Sequence, residues 1–353
     1  MKIHNKNYRT IWPCANGKAL NIIDQTRLPF AFEIIEISNL PAMIKAIKTM
    51  QVRGAPLIGV AAAYGLALSL LNENTEVALY QAAKDLIASR PTAVNLAWAM
   101  QRMLPKLTKL PLNERVSAAW QEAMQMAEED VLQNQQIAMY GLDLIKRAYK
   151  NQPLNILTHC NAGWLATVDH GTALAPIYAA HDAGLSIHVW VDETRPRNQG
   201  SSLTAWELAQ HGVPHTVICD NAGGHLMQIG QVDMVIVGAD RVTKNGDVCN
   251  KIGTYLKALA AFDNDIPFYV AVPSPTIDLQ LNDSSQIQIE QRSNDEVAYM
   301  QGLSEDGNLQ SIRIMPVESM AINPAFDITP ARLVTGIITE HGVCAPNQLM
   351  KVA

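Results

Sequence analysis

The chain has 353 residues, 48% of them hydrophobic and 17% charged, with a formal net charge of −6. That length exceeds the roughly 250–300 residues over which one core keeps growing, so two domains are expected. The acidic balance and the lack of any Lys/Arg run argue against a nucleic-acid partner, and five cysteines without a Cys-x-x-Cys pair suggest neither a disulfide framework nor a metal site.

In chain order, Met1–Asn7 has no apolar run of the kind a secretory leader needs, so a cytoplasmic protein is expected. Thr10–Trp12 and Ala19–Ile23 flank Asn16-Gly17, a hairpin signal, and Phe30–Ile37 continues as a third strand. From Pro41 to about Ala148 the apolar residues recur at helical spacing, as in Met43-Ile44-Ile47-Met50, and Pro91, Pro105 and Pro111 divide the run into separate helices. Gly54–Asn72 carries no charge and matches the ~18–20 residues of a membrane span. Its Ala and Gly content and Pro56 favour a buried, tightly packed helix instead, and no membrane contact is expected.

The polar cluster Lys150–Pro153 marks a boundary between residues 1–150 and 151–353. Beyond it, strand-like runs at Leu154–Leu157, Ile187–Val191, Thr216–Ile218, Met234–Val237 and Phe268–Val272 alternate with helix-like runs. The latter are Thr172–Ala183, Leu203–His211, Ala222–Ile229 and Asn250–Ala261. Alternation of this kind implies a parallel sheet with crossover helices. Thr329-Pro330 reads as a helix start continuing to about Thr339. The fold class is therefore α/β, a small N-terminal β region and helical domain followed by a Rossmann-like parallel-sheet domain.

Cys160 and Asp240 each follow one of the apolar runs, Leu154–Leu157 and Met234–Val237. Ligands of open α/β sheets bind past the carboxyl ends of the strands, so both side chains should face one crevice. There burial can tune a thiol or a carboxyl for proton transfer. Arg241 is a possible structural partner for Asp240, and the other four cysteines read as packing residues. No Gly-x-Gly-x-x-Gly, Walker loop or Gly-x-Ser-x-Gly elbow is found, so nucleotide cofactors and α/β-hydrolase chemistry are not expected.

Three stretches have the makings of an anion site. Arg53-Gly54-Ala55-Pro56 and Gln199-Gly200-Ser201-Ser202 precede helical runs, and Asn250-Lys251 reads as opening a third. Their convergence on one sheet edge points to a phosphorylated small molecule. The charged stretch Asp192–Arg197 reads mainly as a salt-bridged loop, and His159 and His170 receive no catalytic role.

Arg53–Gly59, Arg90–Leu96, Thr158–Gly163, Val191–Arg197, Gly238–Arg241, Asn245–Tyr255 and Asn323–Asp327 together resemble the 5-methylthioribose-1-phosphate isomerase family over about residues 10–343. The chain departs from that family's pattern at Leu57, Asn198 and the glycine-rich Asp220–His225 loop. The resemblance implies a cytosolic homodimer of methionine salvage without metal or cofactor, with Asp240 as proton donor and Cys160 as base or charge stabiliser. It also implies substrate contacts from Arg53, Gly54, Ala55, Arg90, Gln199, Asn250 and Lys251. Two rivals share the fold: a ribose 1,5-bisphosphate isomerase, and regulatory subunits of the translation-initiation guanine-nucleotide exchange factor, which lack the Cys/Asp pair.

Overall fold

The computed structural model describes residues 1–3, 6–150 and 153–351. Asn151 and Gln152, within the expected domain boundary, lie outside the described residues.

The N-terminal strands are β1 (Lys2–Ile3), β2 (Lys6–Asn7), β3 (Ile11–Pro13), β4 (Leu20–Ile23) and β5 (Ile34–Ile37). β3 and β4 pair antiparallel around the expected turn, where Gly17 has φ 62° and Asn16 Oδ1 accepts from the Lys18 N–H at 2.9 Å. β5 completes a three-stranded sheet and is shorter than the Phe30–Ile37 run.

Five helices follow: α1 (Leu40–Lys48), α2 (Ala55–Ser69), α3 (Glu76–Ile87), α4 (Val94–Leu107) and α5 (Leu112–Ala148). The uncharged α2 is buried on almost every face and sits among the other four, as its small residues permit. Pro105 does not separate two helices; it lies in the last turn of α4, where only one backbone hydrogen bond is lost. Among the described residues no helix is long and apolar enough to cross a membrane. The 37-residue α5 serves two cores. Ala119, Ala123 and Met126 pack with α2, whereas Ile137 and Ile145 pack with the C-terminal sheet.

The second half contains β6 (Leu154–Thr158), α6 (Ala175–Asp182), β7 (Ile187–Asp192), α7 (Ala205–His211), β8 (His215–Ile218), α8 (Ala222–Gln228) and β9 (Met234–Val237). Then come β10 (Arg241–Thr243), β11 (Val248–Lys251), α9 (Thr254–Asp263), β12 (Phe268–Ala271), β13 (Ile277–Asp278), α10 (Asp295–Ala298), β14 (Tyr299–Leu303) and β15 (Leu309–Arg313). β16 (Phe326–Thr329), β17 (Gly336–Thr339) and β18 (Gly342–Cys344) close the chain's strands.

The large sheet has the order β18-β17-β12-β9-β6-β7-β8 and is parallel except for the edge strand β18. From β6 the chain winds outward through β7 and β8; from β9 it winds the other way through β12 and β17. The reversal therefore falls between the adjacent strands β6 and β9, the position where α/β sheets open a ligand crevice. Cys160 and Asp240 follow these two strands.

Two expected helix starts are corrected. Thr329-Pro330 leads through a short 3-10 turn into β17, whose four residues are all buried between parallel and antiparallel neighbours. A β-branched run enclosed on both sides favours a strand there over a helix. Asn250 and Lys251 lie on β11, paired with β10 and β16, and α9 starts only at Thr254. The expected run Asn250–Ala261 begins four residues early because buried polar side chains on a strand mimic a helix cap.

Candidate active site

The loop after β6 turns sharply. Cys160 has φ 66°, in the left-handed region, and is held there by three hydrogen bonds. Its N–H donates to Thr194 Oγ1 at 2.8 Å, its carbonyl accepts from Thr204 Oγ1 at 2.7 Å, and its Sγ lies 3.6 Å from Gln199 Oε1. Gln199 precedes a single π-turn, Gly200–Thr204, that leads into α7. A side chain at Gly200 is impossible, since a Cβ there would lie 1.7 Å from the Asp192 carbonyl oxygen.

Arg53 reaches this loop from the start of α2. It is 6% exposed, and its Nη1 and Nη2 donate to Asn161 Oδ1 at 2.5 Å and to the Asn161 carbonyl at 2.6 Å. Gly54, at φ 93°, permits the approach, because a Cβ would sit 2.6 Å from Ala166. Ala55 then opens α2, leaving first-turn N–H groups directed outward from the helix N-terminus.

Asp240 does not pair with Arg241, which instead donates to the Thr92 carbonyl at 2.9 Å and faces Asp278 at 3.6 Å. Asp240 shares a narrow crevice with Ala55, Arg90, Cys249 and Phe326. Burial pushes its carboxyl up from the ordinary range, while Lys251, Arg90 and Arg53 pull it back down. Burial likewise pushes the Cys160 thiol up, opposed by Arg53 and Lys251, so the thiol is held neutral near pH 7.

The three cations are 6–8% exposed. Arg90 Nη2 pairs with Glu290 at 3.0 Å, but its buried Nε has no partner. Lys251 Nζ stands 4.6 Å from the Phe326 ring centroid; burial lowers its pKa, and Cys160 and Asp240 oppose that shift. Asn250 is occupied in bonding Thr254 Oγ1 at 3.0 Å. A cleft of about 740 Å³ opens beside Arg53 and Gln199, with Leu28, Phe30, Met50, Leu203, Tyr299 and Leu309 on its apolar walls.

Two buried networks beneath the loop were not foreseen. Glu207, on α7, accepts from Asn161 Nδ2 (2.8 Å), the Trp164 and Leu165 N–H groups (2.7 and 3.0 Å) and the Tyr178 hydroxyl (2.8 Å). Its only signal in the sequence is a lone acid on a short helix that is otherwise mostly apolar. His159 and Asp192 form the second network with Lys257, whose Nζ is 3.2 Å from Asp192 Oδ2. His159, Asp192 and Asp220 also place ligand-type atoms within 4.8 Å of one another. Lys257 already supplies a positive charge there, so the cluster reads as an internal ion network rather than a metal centre.

Not every cysteine packs as expected. Cys249 and Cys344 are buried, but Cys219 is exposed and Cys14 half-buried. Cys219 follows β8, the edge strand of the sheet, where no further strand covers it.

A doubly wound sheet whose switch point gathers a thiol, a carboxyl and three buried cations is an α/β fold with a candidate enzyme site. Residues 51–346 match the Initiation factor 2 subunit family. Methylthioribose-1-phosphate isomerase of Gluconobacter oxydans is 58% identical over 354 residues, spanning 99% of this chain and 96% of that protein. The crystal structure of 5-methylthioribose 1-phosphate isomerase from Pyrococcus horikoshii superposes with a TM-score of 0.83 at 40% identity, covering 98% of this chain and 96% of that one. Translation initiation factor eIF-2B subunit delta from A. fulgidus gives 0.79 at 40% identity, with 98% of each chain covered. The chain belongs to the Initiation factor 2 subunit family and, within it, to the methylthioribose-1-phosphate isomerases, which are aldose–ketose isomerases.

Proposed function

We propose that the protein converts 5-methylthioribose 1-phosphate to 5-methylthioribulose 1-phosphate in methionine salvage. The observation that carries this reading is the buried Arg90 Nε, without a hydrogen-bond partner among the described residues, together with the buried Lys251 ammonium beside Asp240 and Cys160. Buried cations with free donors favour a polyanion such as a phosphate. Arg53, Arg90 and Lys251 hold it, with the Gly54 and Ala55 backbone at the start of α2, while Gln199 and the amide groups of Asn250 not used on Thr254 contact the sugar. The apolar wall of the neighbouring cleft takes the methylthio group.

A phosphate on C1 prevents ring opening through a free anomeric hydroxyl. Asp240, protonated more readily because it is buried, gives its proton to the ring oxygen as the bond from that oxygen to C1 breaks. The C2 hydrogen then moves to C1. As C2 becomes a carbonyl, its hydroxyl proton returns to Asp240, so the acid is regenerated and no atom is gained or lost. The neutral Cys160 thiol stabilises the charge that develops at C1 and C2.

The regulatory reading suggested by the eIF-2B-named neighbour leaves those groups without a use. A ribose 1,5-bisphosphate isomerase would need uncommitted cations in the neighbouring cleft for its second phosphate, whereas Arg27 and Arg197 there are paired with Glu33 at 3.1 Å and Glu296 at 3.0 Å. Side-by-side turnover of the two sugars by the purified protein tests the assignment. Turnover of the bisphosphate alone, or of neither sugar, would remove it.

Two further parts of the reading concern organisation. Two domains are supported by separate cores, one drawn mostly from Ile11–Val131 and another from Ile137 onward, so the change of core falls within α5 rather than at residue 150. A homodimer is supported by the exposed apolar side chains Ile312, Ile314, Val317, Met320 and Ile322, a surface that favours burial. Met100, Met103 and Met126 are core residues and lie outside that surface. Sedimentation as a monomer at micromolar concentration would remove the dimer.

A further inference from the structure

Glu207 is fully buried, lies on α7 and touches no cavity named above, yet its carboxylate accepts four hydrogen bonds. An ionised carboxylate offers about four acceptor sites, and here four donors fill them. Three of those donors brace the Trp164–Leu165 turn and Tyr178. The fourth, Asn161 Nδ2, has a different consequence.

The Asn161 amide has two N–H groups and one oxygen. One N–H goes to Glu207 Oε1 at 2.8 Å and the other to Thr204 Oγ1 at 3.1 Å. Thr204 has already given its own hydrogen to the Cys160 carbonyl, so its oxygen faces Asn161 only as an acceptor. Turning the amide over would set its oxygen against the Glu207 carboxylate and its NH₂ against the Arg53 guanidinium. The amide is therefore locked with Oδ1 toward Arg53. Two of the five guanidinium N–H groups are used on Asn161, and the remainder are left to an anion. The Glu207 charge also favours the charged form of Arg53, which burial opposes.

We infer that Glu207 is a positioning residue for the phosphate-binding Arg53, acting through the side-chain amide of Asn161. This rests on the substrate reading proposed above. Glu207 does not touch the sugar. It sets which face of Asn161 meets the guanidinium and thereby where Arg53 places its free donors.

The test compares Glu207→Gln, Asn161→Ala, Arg53→Ala and the two double variants with Arg53→Ala, using turnover of methylthioribose 1-phosphate. Glu207→Gln replaces an acceptor by an amide whose NH₂ opposes donors. Asn161→Ala leaves Glu207 with three donors and supplies the answer if Glu207→Gln does not fold. Expected is a rise of roughly 10-fold or more in KM for each single variant, with kcat for Glu207→Gln and Asn161→Ala within about 3-fold of the parent. Each double variant should bind no more weakly than Arg53→Ala alone, the non-additivity of groups acting through one another. Additive losses, or a fall in thermal stability with KM unchanged, would overturn the inference while leaving the substrate assignment standing. Failure of the unaltered protein to turn the sugar over would overturn the substrate assignment, and this inference with it.

Discussion

His159 Nδ1 stands 2.8 Å from Asp192 Oδ2, with both side chains sealed from solvent, and the Nε2 of the same ring faces the Ile252 carbonyl at 2.8 Å. One imidazole thus ties the loop bearing Cys160 to the end of β7 and to the turn after Lys251. Gly253 makes room for it, since a Cβ there would lie 2.9 Å from the ring. Asp327 fastens the other side of that turn by accepting from the Gly253 and Tyr255 N–H groups at 2.7 and 3.2 Å. The thiol and the ammonium are held in register by polar bonds beneath the site rather than by the strands alone.

Removing one partner of such a network should be costly. Asp192→Asn leaves Lys257 without its buried counter-charge and is expected to lose about 3–5 kcal/mol of stability, the usual effect of breaking a buried ion pair. Denaturant unfolding measures it. A loss under ~1 kcal/mol, typical of exposed pairs, would mean that water reaches Lys257.

Asp240→Asn is expected to abolish turnover while substrate affinity stays within about an order of magnitude, because a proton donor acts on the transition state. Asparagine keeps the shape but carries no acidic proton. Calorimetric binding alongside the rate separates the two effects. Affinity lost to the same extent as rate would make Asp240 a structural or binding residue instead.

Cys160→Ser should cost at least ~100-fold in rate, the lower end of what losing one group that stabilises transition-state charge costs, with folding and phosphate binding retained. Because burial raises the thiol's pKa, alkylation of Cys160 should be slow at neutral pH, accelerate as pH rises, and be blocked by substrate. The exposed Cys219 will react first, so the measurement belongs in a Cys219→Ser background. Near-normal turnover by folded Cys160→Ser would remove the role given to the thiol.

Asp130, on α5, is buried and accepts the Val168 N–H at 2.7 Å, and burial pushes its carboxyl up to about 7. The folded state therefore binds more protons than the unfolded chain between the ordinary carboxylate range and about pH 7. Stability is greatest below that window and falls as pH rises through it. Asp130→Asn keeps an oxygen for Val168 and removes the titration. The variant should gain melting temperature relative to the parent at pH 8, and the gap should narrow at pH 4. An equal effect at both pH values would show that Asp130 does not titrate in this range.

The parallel strands were legible because each is a short apolar run between turn residues, and a run of that kind buried on both faces has few alternatives. The same locality exposed Cys160 and Asp240, since a polar residue just past an apolar strand must emerge at the sheet's carboxyl edge. Gly336–Thr339 was misread because Thr329-Pro330 is a strong local helix signal. Only pairing with β12 and β18 decides for a strand. Asn250 and Lys251 read as a helix start but lie on β11, in the separate sheet β13-β10-β11-β16, where only pairing with β10 and β16 decides for a strand.

The sequence by itself determined the α/β class, the strand ends that carry the thiol and the carboxyl, and the basic residues Arg53, Arg90 and Lys251. The tertiary structure decided their company: Glu207 beneath Asn161, 46 residues away, and Asp192 beside His159, 33 residues away. A hydrophobic pattern repeats within one element and can be read there. A buried acid has no pattern of its own, and what it does depends on which donors the folded chain brings around it.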